Sequence, residues 1–361
     1  MGDLDLDLLE RLCEAPGVSG REGAVRGLVR RELAGLVDEI SVDRMGNVLA
    51  VRRGDGGPRV MLAAHMDEVG LLVKHVEEDG FLRVHPVGGV WSKFLGAQRV
   101  RVHCSAGGES LLGTMYESSD LGMPHEKGKV PRVDEYFVDV GLSGDLAAAK
   151  VSRGDFVTMD RGLDRMGDRV VAKALDDRVG LFVIIETLKA LPGGRAEVIV
   201  VGSAQEEIGT RGATVAAHGV PRDVGVAVDT THARDLPGVA QDKRITRLGE
   251  GVSIKVMDRM QITHANLLAF VRALARDRGI HHQLEVGLPG GTDAGAIELA
   301  GDGSPPIALS IPCRYPHTAS EVADIGDITA TIQLLEAFLQ EVTESVLAPD
   351  SAGEQAPSSG R

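Results

Sequence analysis

The first 36 residues carry apolar side chains at helical spacing, at Leu8, Leu9 and Leu12 and again at Val25, Leu28, Val29 and Leu33. Pro16 and Gly17 interrupt the period, so the pattern predicts two helices joined by a turn. Residues 39–53 alternate on either side of Met45-Gly46-Asn47, which reads as a hairpin. Residues 59–64 (RVMLAA) form a short apolar run, as expected of a strand covered on both faces. The character then changes. Between about Gly70 and Asp160 the runs are short, alternating and punctuated by glycine, as in LLVKHVEE, FLRVHPV, QRVRVHCS and DFVTMD; only Gly144–Lys150 reads as a helix. Short strands at such close spacing predict a small β-barrel or sandwich. From about Val170, strand-like RVVAKAL, AEVIVVGSA, DVGVAVD and PIALSIP alternate with helix-like stretches at 179–191, 265–278 and 328–347. That alternation marks an α/β sheet. The simplest organisation is one α/β domain, residues 1–68 and 162–347, interrupted by an all-β insertion at 69–161. Residues 348–361 are small and polar and read as a disordered tail.

Composition narrows the function classes. The net charge of −14, from 39 basic and 53 acidic residues, argues against a general nucleic-acid binder, which needs a Lys/Arg stripe, and disfavours anionic lipid. Aromatics at 3% offer few platforms for stacking on single strands. No window approaches the roughly 18 consecutive apolar residues of a membrane span. The opening MGDLDLDLLERL has acids where a signal peptide has a basic flank. Cys13, Cys104 and Cys313 make neither a C-x-x-C pair nor a disulfide framework, so a cytoplasmic location is expected, with Cys104 and Cys313 as packing residues.

The informative polar residues sit just beyond apolar strands. RVMLAA leads into His65-Met66-Asp67, RVVAKAL into Asp176-Asp177, AEVIVVGSAQ into Glu206-Glu207, DVGVAV into Asp229 and PIALSIPCRYP into His317. Ligands of open α/β sheets bind outside the carboxyl ends of the strands. If the sheet core is parallel, these five places meet on one edge. Each residue also has an ordinary role: Asp176 or Asp177 as a helix cap, Asp229 as a turn residue, His317 as a loop histidine, Glu206-Glu207 as a surface pair. Together they make a cluster that repels itself unless cations neutralise it, and imidazole with carboxylate suits zinc, cobalt or manganese. Residues i and i+2 of an extended chain share a face, so Asp67 can orient the His65 ring. Spacing alone does not choose between Asp176 and Asp177. GGTDAG (290–295) lacks the spacing of a phosphate loop and reads as a tight turn before a helix; no G-x-S-x-G elbow is present.

AAHMDEVG, AKALDDRVG, SAQEEIGTRGA, VDTTHARDLPG, GGTDAG and IPCRYPHTASEVADIGDI, in this order from about residue 5 to 345, resemble the M42 family of dinuclear metallo-aminopeptidases. The resemblance implies a zinc-exopeptidase-type α/β/α catalytic domain interrupted by a β-barrel dimerisation domain. It implies two divalent ions per subunit, zinc foremost, with cobalt or manganese as alternatives. His65, Asp176 and Asp229 would hold one ion, and Asp176, Glu207 and His317 the other, with Asp176 shared. Glu206 would be the general base, Asp67 would orient, and Asp293 would help shape the region. Peptides would be the substrates, hydrolysed from the N-terminus through a water bridging the ions. Homo-oligomers built from dimers, up to a tetrahedral dodecamer, would be the assembly. A dinuclear amidase or deacylase of non-peptide substrates is the nearest alternative, and a non-catalytic scaffold a more distant one. Thr210, Arg234, Leu236, Thr318 and the segment 116–128 depart from the family pattern, and none of these removes a ligand.

Overall fold

The computed structural model describes residues 4–106, 108–117, 130–287 and 290–347. The expected tail at 348–361, and 118–128 of the divergent segment, lie outside the described residues.

The two leading helices form at Leu6–Glu14 and Gly23–Leu33. Asp5 caps the first, its carboxylate accepting the Leu8 N–H at 3.0 Å. The buried Arg178 guanidinium takes up carbonyls at the other end, donating to Leu12 and Ala15 at 2.6 and 2.8 Å. The hairpin forms as Glu39–Val42 and Val48–Arg52.

Arg59–His65 lies centrally in the sheet. Glu197–Ser203 and Val224–His232 flank it in parallel, and Pro306–Arg314 adds in parallel beyond Val224–His232. Antiparallel strands extend both sides: the N-terminal hairpin beside Glu197–Ser203, and Glu321–Asp324 then Arg169–Ala172 beyond Pro306–Arg314. Two reversals make Arg169–Ala172 parallel to the central strands again, so all five polar strand ends emerge on one edge. Side chains of Arg59–His65 alternate between two cores. Val60, Leu62 and Ala64 pack with Leu6–Glu14, Leu175–Ala190 and Ile325–Glu341; Met61 and Ala63 pack with Ala216, Ala217 and Ile297 of Arg211–Gly219 and Asp293–Leu299. This double cover explains the unbroken apolar run, and each buried aliphatic side chain contributes about 1.5–3 kcal/mol. The helix expected at 179–191 lies in Leu175–Ala190, and because Asp176 and Asp177 have non-helical backbone angles its regular part starts only after the two acids, close to the expected start. The last helix is Ile325–Glu341, started by Asp324, whose carboxylate accepts from Gly326 N–H, and followed by a short turn at Glu344–Val346.

Five residues after His65 the chain enters a closed antiparallel barrel. Among the described residues its order is Gly70–Val76, Leu82–Val87, Tyr136–Asp139, Ser110–Glu117, Arg99–His103 and Phe156–Met159, which pairs back onto the first strand. Alternate residues point inward: Leu71 and Val73, Leu82 and Val84, Val100 and Val102, Tyr136 and Val138. Among the described residues the one α-helix of the insertion is Gly144–Lys150. The three cysteines are free and buried, and burial pushes the Cys313 thiol up, as befits packing residues.

Candidate metal centre

The rim brings the seven sequence-selected residues to one cavity of about 250 Å³ and its immediate wall. His65 ends its strand, Asp229 lies within Val224–His232, Asp176 opens the long helix, Glu206-Glu207 follow Glu197–Ser203, and His317 follows Pro306–Arg314. Asp176 stands between the two histidines. Its Oδ1 is 3.2 Å from His65 Nε2 and its Oδ2 is 3.4 Å from His317 Nε2. Glu207 Oε2 is also 3.4 Å from His317 Nε2, while Glu206 Oε2 lies 3.9 Å from His65 Nε2. Two triads result, His65–Asp176–Asp229 and Asp176–Glu207–His317, with ligand atoms within 4.8 Å of one another in each.

Backbone geometry holds these side chains. Five of the six non-glycine residues with positive φ among the described residues (Ala174, Gln205, Thr210, Tyr315 and His317) lie in the rim loops. Such conformations persist where the surroundings over-determine them. Glu321 fastens two ligands at once, accepting the Asp176 N–H at 2.9 Å and the His317 N–H at 2.7 Å. Asp177 is turned away, accepting the His65 and Gly180 N–H groups at 3.1 Å each. The choice between the adjacent acids is thus geometric: Asp176 faces the cavity and Asp177 holds its floor. Asp67 differs in detail from the expectation. His65 Nδ1 finds its nearest acceptor in the Asp67 carbonyl at 2.9 Å, with the carboxylate at 3.5 Å. That carboxylate is drawn off by Ser19 Oγ at 2.6 Å and by the N–H groups of Glu206 and Glu207 at 2.9 and 3.2 Å. Asp67 therefore positions the Glu-Glu pair as directly as it does the ring.

Sequence reasoning missed Glu321, Asn47 and Lys255. Asn47 Oδ1 accepts the Ala204 N–H at 2.8 Å, locking the loop before Glu206 to the hairpin turn. Lys255 lines the cavity and is paired behind it with Asp258 at 3.3 Å and Glu285 at 3.2 Å. The only hint of Glu321 was an acid four residues past His317; Asn47 and Lys255 left none. Asp293 is buried at the site's edge and bonds Ser203 Oγ.

Crowding shows in the protonation balance. Burial, then Asp176, pushes Asp229 up to about 7; burial, with Asp176 adding and His317 opposing, pushes Glu207 up to about 8. Glu206 is raised well above the usual carboxylate range by burial, against His65, with Asp293, Asp229 and Glu207 adding to the rise. Asp176 is pulled down despite its burial, because both imidazoles donate to it. Burial works against a charged His317, but Asp176 and Glu207 outweigh it and lift the ring to about 10. The rim is a place where positive charge is strongly favoured. Glu207 Oε1 is buried without a hydrogen-bond partner. Both rings offer Nε2 to the carboxylates while Nδ1 is engaged by a carbonyl. A mixed nitrogen and oxygen donor set with an unpartnered carboxylate oxygen fits two divalent cations sharing Asp176.

A mixed sheet with a doubly covered parallel core and such a rim, and a closed barrel spliced in after its central strand, is the architecture of a metallopeptidase of the aminopeptidase class, as its likenesses show. The chain belongs to the M42 peptidase family: the M42 glutamyl aminopeptidase profile matches residues 46–334. It is similar to the lysyl aminopeptidase of Pyrococcus furiosus, 36% identical over 94% of this chain and 98% of that one. It is also similar to an aminopeptidase from the archaeon Desulfurococcus kamchatkensis, with a TM-score of 0.90 and 38% identity over 94% and 96% of the two chains. A third similar structure is the TET1 peptidase of Pyrococcus horikoshii, described as assembling into a tetrahedron or a large octahedral shell, with a TM-score of 0.83 and 30% identity over 93% and 99%. The chain is an aminopeptidase, a hydrolase acting from the ends of peptides. Among the described residues no helix is long and apolar enough to cross a membrane.

Proposed function

We propose that the enzyme removes single residues from peptide N-termini using two divalent ions, one held by His65, Asp176 and Asp229 and the other by Asp176, Glu207 and His317. The observation that carries this is the position of Asp176, one oxygen toward each histidine, with each triad completed by a different carboxylate. Bound there, such ions supply Lewis acidity, which acidifies water and offsets negative charge building on the scissile carbonyl. Glu206 belongs to neither triad and faces the same cavity. That place, in the cavity but outside the ligand set, suits it to take a proton from the attacking water and return it to the departing amine. Asp67 keeps Glu206 and Glu207 in place through their N–H groups. A substrate's free α-amine would meet a bound cation or a nearby carboxylate at the rim, which restricts cleavage to the first peptide bond. The small cavity agrees, holding about 250 Å³ against the roughly 300–1,000 Å³ of usual ligand pockets.

Zinc is the first candidate, with cobalt and manganese next, since the donors suit all three. The buried free cysteines support a cytoplasmic setting. The assembling relative supports a homo-oligomer here, with 69–161 as the dimerisation domain inserted into the catalytic domain (1–68 and 162–347) and dimers joining into a dodecamer. Aminoacyl-anilides assayed beside N-acylated compounds, with elemental analysis and light scattering on the same preparation, test the reading. Anilide turnover by a two-metal oligomer is expected. Turnover of the N-acylated compounds alone would overturn it.

A further inference from the structure

The two ligand histidines are oriented from different parts of the molecule. In each, a carbonyl oxygen, which can only accept, faces Nδ1, so that nitrogen carries the proton and Nε2 is left for a cation. For His65 the carbonyl is that of Asp67, two residues along its own strand end. For His317 it is that of Gly89, at 3.0 Å, on the barrel turn between Leu82–Val87 and Ser92–Phe94. This turn fits closely over one triad. A methyl group on Gly89 would sit 2.9 Å from His317 Nδ1 and 3.1 Å from its Cε1. One on Gly88 would lie 3.1 Å from Glu207 Cβ and 2.9 Å from Val69 Cγ1, and Gly88 already has φ of +77°. His317 needs such a hold, for its side chain is 27% exposed, against 2% for His65 and 10% for Asp176. Val90 packs on the barrel core, as does the buried Leu95, so the turn moves with the barrel.

We propose that the Gly88-Gly89 turn of the barrel is a positioning element for the metal position made by Asp176, Glu207 and His317, whereas the His65–Asp176–Asp229 position is complete within the α/β sheet. The barrel then conditions the occupancy of one ion and not the other. This rests on the metal reading above. It also supplies a reporter, because Trp91 is the chain's only tryptophan and stands two residues from Gly89.

The test titrates full-length, metal-free protein with zinc, following heat and Trp91 emission. Wild type should bind two ions, with emission changing as the second binds. His317→Ala should keep one ion and lose the emission change. Gly89→Ala should weaken the second ion at least 10-fold, the usual cost of disturbing a ligand's support, and leave the first unchanged. Gly96→Ala, where a methyl would meet only Tyr136 Cε1 at 3.9 Å, should behave as wild type. In a His317→Asp background, which removes the ring, Gly89→Ala should have less than a threefold effect. A folded Gly89→Ala protein that binds both ions as wild type does would overturn the proposal. Should that variant not fold, nitrogen-15 spectra of zinc-loaded wild type decide: a His317 Nδ1 proton that exchanges slowly with solvent, as one held by the Gly89 carbonyl would, supports the proposal, and a freely exchanging one overturns it. Wild type binding fewer than two ions, or His317→Ala keeping both, would overturn the metal reading itself.

Discussion

Glu206 and Glu207 share a functional group, a loop and a cavity, yet their surroundings differ. Glu207 Oε2 is 3.4 Å from His317 Nε2 and its Oε1 is buried without a partner, as expected of a ligand. Glu206 is outside both triads, and its backbone N–H is held by Asp67 at 2.9 Å whatever its side chain carries. Exchanging each for glutamine keeps volume and removes one negative charge. Glu206→Gln leaves no group able to take a proton, and losing a general base typically costs about 10²–10⁴ in rate. At 1.36 kcal/mol per tenfold, that is roughly 2.7–5.4 kcal/mol of transition-state stabilisation. Glu207→Gln should instead loosen one ion by about 100-fold or more, the loss of a ligand exceeding that of its support. Steady-state kinetics on an aminoacyl-anilide and elemental analysis after gel filtration separate the two. Glu206→Gln should retain two ions per chain with KM within a few fold; Glu207→Gln should retain one. The sign of the pH effect follows: Glu206 would work deprotonated, so wild-type kcat/KM should fall on acidification, and the Gln variant should lack that limb. A Glu206→Gln enzyme that keeps a third of wild-type turnover, or that loses an ion, would refute the assignment.

Asp176→Ala should lose both ions together, because its oxygens face both histidines at 3.2 and 3.4 Å; elemental analysis finding two tightly held ions would remove it from the shared position. Glu68→Gln should lower unfolding stability by about 3–5 kcal/mol in urea, the cost of stranding a buried ionic partner. Here that partner is Lys173, whose Nζ lies 2.8 and 2.9 Å from the Glu68 oxygens, with Arg178 at 3.5 Å. A loss under 1 kcal/mol would show that the cluster is not sustained by charge pairing. His103 is pushed down to about 4 by burial, with Lys173 and Arg101 adding and Glu68 opposing. The folded state therefore resists its protonation, and its contribution is complete above about pH 6.5 and lost as pH falls toward 4. Between pH 7 and 5 wild type should lose Tm relative to His103→Gln, and a constant difference would contradict this.

What the sequence displays and what it hides divide along a physical line. A parallel sheet covered on both faces writes each strand as an apolar run, and whatever follows the run is delivered to one edge. His65, Asp176, Glu206-Glu207, Asp229 and His317 could therefore be gathered by pattern alone, and the barrel showed itself by the switch to short alternating strands. Orientation is another matter. Asp176 and Asp177 are indistinguishable as letters; they are told apart because Asp177 spends both oxygens on the His65 and Gly180 N–H groups. Glu321 is placed at the Asp176 backbone by the pairing of Ala172 with Glu321, a register between strands nearly 150 residues apart. Asn47 lies in a turn the pattern foresaw, but its target, Ala204, is on another strand's exit loop. Gly89 acts through a main-chain carbonyl that every residue possesses, and only its contact with His317 singles it out. Local patterning thus specifies which side chains reach the rim, while strand register and the docking of the barrel specify which way they point. If the site's chemistry depends on that direction, variants that leave every ligand in place but disturb Glu321, Asn47 or Gly89 should cost more activity than the sequence alone would lead one to expect.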